Sequence, residues 1–288
     1  MRTKARQRTE TMLIAIAAVI VLTASAAAAE HELPAAVRDA IGQTRYSTEE
    51  RNTLSTQAER AIRAGIPADD VATIITRSNS RGADSATARQ FLDTAAKTQE
   101  QGLPARPVLN RIQQGLAKGV PADQVAAATD RLAGRLQDAR PIVDRVVESG
   151  VSAGSGKDRD YAMETVARAL EKSVPHEAIA GAGTRVRDRK GSVALFDKSV
   201  GTMSSLVENG MEPASAARIV QDAISRGSSE KDLSKLEREV SEGLKKERRQ
   251  RDEGLKDRKE DRKDDRGRSG RDDNRVRDSG SGHGGRDR

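Results

Sequence analysis

The sequence predicts an all-α fold: short helices in repeated α-hairpins, an α-solenoid-like array or irregular helical bundle, with a disordered charged C-terminal tail. Three observations carry this. A turn of glycine, an apolar residue, then proline, serine or aspartate recurs along the chain. Between turns the apolar residues are spaced by three and four, the helical period, and no run alternates as a half-buried strand would. Many turns return about 37 residues later, the length of a two-helix unit, as from Gly65 to Gly102 and from Gly82 to Gly119.

Residues 1–29 read as a secretory signal peptide. Arg2, Lys4, Arg6 and Arg8 precede the apolar run Leu13 to Thr23, and Ala24-Ser25-Ala26 and Ala27-Ala28-Ala29 both satisfy the small-residue cleavage rule. The expected location is the periplasm or the cell exterior. The alternative is an inner-membrane anchor, because Met12 to Ala29 carries no charge, although spanning takes about 20 mostly apolar residues. With no cysteine in 288 residues, an exported body must be stable by packing alone.

Residues 30–244 read as a helical hairpin-repeat domain. Its turns include Gly65-Ile66-Pro67, Gly102-Leu103-Pro104, Gly119-Val120-Pro121, Ser173-Val174-Pro175 and Gly210-Met211-Glu212-Pro213. Glycine past a helix end takes the left-handed conformation that lets the last carbonyls find donors. The apolar residue packs back on the finished helix or forward as a staple with the next, as Ile66 with Val71, and Pro, Ser or Asp opens the next. Ser47 with Glu50 and Ser229 with Asp232 have capping-box spacing. Ala58, Ala61 and Ile62 share a face, as do Val71, Ile74 and Ile75, then Leu109, Ile112 and Leu116, then Val143, Val146 and Val147, then Val166, Ala169 and Leu170. The stretch 126–160 breaks the rhythm. A second echo, Ala105-Arg106-Pro107 against Ala139-Arg140-Pro141, has a spacing of its own.

Residues 245–288 read as a charged, largely disordered arm. Beyond Leu244 the aliphatic residues are Leu255 and Val276, too few to bury a core. Helix is possible as far as Arg266, helped by the acid-to-base pairs Glu242 with Lys246, Glu247 with Arg251 and Asp252 with Lys256. The formal net charge of +7 splits into +3 in residues 1–29, +5 in the arm and −1 between them. The basic character therefore belongs to the ends, and the balanced body gives no reason to expect nucleic-acid binding.

No catalytic constellation can be read. His31, His176 and His283 are far apart, with no metal-ligand spacing among them. His176 beside Glu177 reads as an exposed helix start. Gly154, Gly156 and Lys157 lack the spacing of a phosphate loop, and Asp272-Asp273-Asn274 lacks a calcium loop. No cofactor, metal or small-molecule substrate is inferred. The expectation is a non-enzymatic scaffold or adaptor binding an envelope protein. The alternative is a tether to an anionic polymer, lipopolysaccharide or nucleic acid, through Lys245, Lys246, Arg248, Arg249, Arg251, Arg258, Lys259, Arg262 and Lys263.

Overall fold

The structure, a computed structural model, describes residues 32–268, with side chains as far as Gln250. The signal-peptide reading of 1–29 and the last part of the arm, 269–288, lie outside the described residues. The fold is all-α. Its helices are α1 Ala35–Gly42, α2 Thr48–Arg63, α3 Ala68–Ser80, α4 Ser85–Glu100, α5 Arg106–Ala117, α6 Ala122–Glu148, α7 Gly156–Glu171, α8 His176–Asp188, α9 Val193–Glu208, α10 Pro213–Ser225 and α11 Glu230–Arg268.

The turns follow the expected chemistry. Gly65, Gly82, Gly102, Gly119, Gly210 and Gly227 all have positive φ. At each, two backbone bonds close the helix end: at Gly65 its N–H reaches Ile62 and the N–H of Ile66 reaches Ala61. Ile66, Leu103 and Val174, the apolar residues after the left-handed place, are buried. Ser173 (φ 61°) and Lys190 (φ 54°) take the same left-handed place without being glycine. In that second turn a glycine, Gly191, follows the left-handed Lys190. A Cβ on Gly191 would stand 3.1 Å from the Val186 carbonyl oxygen, so it is close packing that needs glycine there. At the helix starts, Ser47 with Glu50 and Ser155 with Asp158 form complete capping boxes. Asp84 and Ser192 cap α4 and α9 through backbone N–H groups.

The chain divides into two compact units, at Pro141 and Ile142. In the first, α1 packs on α3, α2 on α4 and α3 on α5. In the second, α7 packs on α9, α9 on α11 and α8 on α10. In these pairs a helix sits beside the one two further along, and side-chain bonds join residues 36 apart: Arg77 to the Gln113 carbonyl, Thr94 to Asp130, and Lys172 to Glu208.

Both units follow one plan, offset by 108 residues. Thr48–Arg63 becomes Gly156–Glu171, Ala68–Ser80 becomes His176–Asp188, and Ser85–Glu100 becomes Val193–Glu208, each bound moved by 108. The capping serines Ser47 and Ser155, the N-cap prolines Pro67 and Pro175, and the turn glycines Gly102 and Gly210 keep the offset. The break over 126–160 then has a physical reason. α6 is 27 residues long, because the last helix of the first unit runs on into the first helix of the second. Pro141 lies inside it and cannot donate to the Gln137 carbonyl. Ala105-Arg106-Pro107, by contrast, begins α5. Those two Arg-Pro segments are therefore not equivalent places in the repeat.

The helix ends are capped across helices by arginine. Arg81, at the end of α3, donates to the Ala117 carbonyl of α5 at 2.8 Å. Its counterpart Arg189, at the end of α8, donates to Ile224, Gly227 and Ser228 at the end of α10. Arg140 reaches the Gln101 carbonyl and Arg248 the Asn209 carbonyl, again 108 residues apart. A cation at a helix C-terminus gains from both the hydrogen bond and the dipole.

The core is aliphatic and thin, with Phe91 and Phe196 its largest members. Buried Tyr46 donates its hydroxyl to the Ala83 carbonyl at 3.0 Å, joining the α1–α2 turn to the α3–α4 turn. Tyr46→Phe is expected to cost about 1 kcal/mol, the net value of one such bond, read as a lower urea midpoint with unchanged slope. Lys190→Gly is expected to gain about 1 kcal/mol by relieving the left-handed residue. A lower midpoint for that variant would show that the Lys190 side chain stabilises the turn.

Candidate functional site

The arm begins as a continuation of α11, which the structure follows to Arg268. Lys245, Lys246, Arg248 and Arg249 are exposed on it. Arg248 also serves as the cap on Asn209, a structural task the sequence did not reveal. Arg251, Arg258, Lys259, Arg262 and Lys263 lie further along the same helix. All nine nominated residues therefore share one helix. Leu233 and Ser241 are buried where α11 packs on α9.

A second feature lies between the last turns of α6 and the face of α8. It is a groove of about 320 Å³ whose lining includes Ile142, Val146, Ala180 and Gly183, with Arg145, His176, Glu177 and Arg187 around it. The two units differ here. Ile75, fully buried in the first unit, stands 108 residues before Gly183. Without a side chain at Gly183, Val146 comes close: a Cβ there would lie 2.5 Å from Val146 Cγ2. Phe196 is also near, 3.6 Å from that position. Its counterpart 108 residues earlier is Ala88, also buried. Bulk lost on α8 is thus partly restored from α9. The sequence singled out His176 and Glu177, which the structure places exposed in the first turn of α8. It missed the groove, because nothing in a helical pattern marks a glycine as standing where its repeat partner is isoleucine.

Other sequence candidates resolve into structure. Gly154, Gly156 and Lys157 surround the Ser155–Asp158 capping box, so the cluster opens α7. Its carboxylate, like those of Glu50, Glu212 and Asp232, is held below the ordinary range chiefly by backbone N–H groups at a helix start. Among the described residues no three His, Cys, Asp or Glu side chains gather as a metal group. No described helix is long and apolar enough to cross a membrane.

Polar groups also collect along α7, α9 and α11. Lys198 pairs with Glu237 at 2.8 Å. Burial works to raise the Glu237 carboxyl, yet the Lys198 ammonium and the Ser205 hydroxyl outweigh it and hold it low. Asp197 goes the other way. Burial pushes its carboxyl up, against the opposing pull of Thr165, Arg168 and Lys198, and its Oδ1 has no hydrogen-bond partner. A carboxyl raised in the folded state contributes most below its unfolded value, near pH 4, and that contribution is lost as pH rises through the folded value. Asp197→Asn is therefore expected to raise the thermal midpoint at pH 7, with the gain vanishing near pH 3. A lower midpoint at pH 7 would show that the ionised carboxylate stabilises the fold.

No protein-family model, no curated protein and no solved structure matches the chain.

Proposed function

We propose that the chain is an exported, non-enzymatic helical scaffold that holds an envelope protein against its second unit. Export rests on the signal-peptide reading of residues 1–29. The observation that carries the binding reading is the groove between α6 and α8, lined by Ile142, Val146 and Ala180 and edged by Arg145 and Arg187. Apolar grooves between helices, edged by arginine, are the kind of surface that anchors a partner's side chains. The repeated helices supply the rigid support such a surface needs.

A second reading is favoured by one further observation. The nine basic residues of the arm lie on a single helix, α11, an arrangement that suits a tether to an anionic polymer.

The scaffold reading is tested by cross-linked capture from the native envelope with matched variants. Thr184 edges the groove, and Thr76 is the same residue at the same place in the first unit; both are exposed. Thr184→Glu is expected to lose at least nine-tenths of the captured partner and Thr76→Glu to keep it. Equal capture by both variants would sink the reading. A chain ending at Gln250, which retains the Arg248 cap, is expected to capture the same partner as the full chain.

A further inference from the structure

Counted as composition, the arm mixes acids with bases and its field is weak. On a helix their order matters more than their number. α11 is continuous from Glu230 to Arg268, and each residue advances about 100° around the axis. At that winding every acid from Glu253 to Asp265 falls within one sector of about 140°. Every base from Lys256 to Arg266 falls in the opposite sector of about 160°. Upstream, Lys245, Arg249 and Arg251 extend the basic side and Arg248 shares it while capping Asn209, and Lys246, Asp252 and Arg268 are the exceptions to the pattern.

This order is not the one that stabilises a lone helix. Helicity is favoured by acid-to-base pairs four apart, and like charges four apart oppose it. Here Asp257, Asp261 and Asp265 form one such like-charged row, and Arg258, Arg262 and Arg266 form another. The row pattern gives up helix stability and gains a side of one sign.

We propose that the basic side of α11 binds a phosphodiester polymer laid along the helix, through its phosphates and without sequence preference. The proposal rests on the reading of the arm as a polyanion tether and names its ligand and geometry. From Lys245 to Arg266 the helix rises about 32 Å. Besides Arg248, the basic side carries nine Lys and Arg over that length, about one per 3.5 Å of axis, close to the axial rise of roughly 3.4 Å per phosphate along one strand of a duplex. Base readout is absent from the design, since the four aromatic residues, Tyr46, Phe91, Tyr161 and Phe196, all precede the arm. Nucleic acid and a glycerol-phosphate polymer share this chemistry.

The test uses the full mature chain with a labelled single-stranded DNA and a labelled poly(glycerol phosphate), polyglutamate being the carboxylate comparator. Three proteins are compared by anisotropy. These are wild type, a chain ending at Gln250, and an exchange variant: D257R, R258D, K259E, E260K, D261R, R262D, K263D and D264K. The exchange keeps composition and net charge but mixes the two sides. Wild type is expected to bind a phosphate polymer and to lose about a hundredfold in affinity between 50 and 200 mM salt, as about five phosphate contacts require. Truncation is expected to abolish binding, and the exchange to weaken it at least tenfold with a flatter salt dependence. The tighter of the two polymers identifies the source. If the exchange variant binds like wild type while truncation abolishes binding, the tether reading stands and the one-sided geometry is overturned. If truncation changes nothing, or neither polymer binds at 50 mM salt, both are overturned. Polyglutamate bound as tightly would overturn the preference for phosphate. Circular dichroism checks the helix; if the eight-residue exchange melts it, the four-residue exchange D257R, R258D, D261R and R262D is expected to act in the same direction, and unchanged binding there overturns the geometry.

Discussion

Every α-helix ends with carbonyls it cannot satisfy by itself, and a chain built of short helices has many such ends. Here they are met by two devices at once. The residue past the end turns left-handed and closes the backbone on itself, as at Gly65 and Gly210. An arginine from a helix two places away then reaches carbonyls that remain, as Arg81 does at Ala117 and Arg189 at Ile224. The second device ties the satisfaction of one helix to the presence of another. Local chemistry and tertiary packing are therefore one set of bonds in this protein, and the spacing of its turns follows from that dependence.

The thin core is the companion of those caps. Alanine, valine and leucine at the facing positions bring the helices close, and few side chains are large enough to wedge them apart. Where the two units depart from one another, the change is paired: Ile75 against Gly183 on one helix, Ala88 against Phe196 on the next. Close packing makes a change of volume felt by its neighbours, so Val146 and Phe196 stand where the side chain of a residue larger than Gly183 would be.

Much of the fold was legible because its turns need particular residues. Gly65, Gly102 and Gly119 mark helix ends since only glycine enters the left-handed region without cost. Ser47 with Glu50 and Ser229 with Asp232 mark starts, and their bonds are present. The turn at Lys190 carries no such signal, because a lysine holds its left-handed place. α6 was not legible as one helix. Gly134 and Pro141 look like breakers, although space is open around Gly134 and the helix passes through both. The 108-residue plan stayed hidden because turns arise every 17 to 20 residues and resemble one another. The arginine caps were invisible for a simpler reason: a charge on a helix surface looks solvated until its distant acceptor is known. The groove is hidden likewise, being a difference between copies, while the sidedness of the arm was in the sequence but needed a continuous helix to give it meaning.

The bonds that join helices two apart connect residues only 32 to 43 positions distant, from Asn209 with Ser241 to Gln113 with Asp70. Each helix finds its partners almost as soon as the next hairpin exists. Loop-closure entropy is then small at every step, and topologies of this kind order quickly. A chain emerging end first, whether from a ribosome or from a narrow pore, can thus lock each segment behind it without waiting for its far terminus. Structure would accumulate along the thread like links closing in order, with little sticky surface left waiting at any moment.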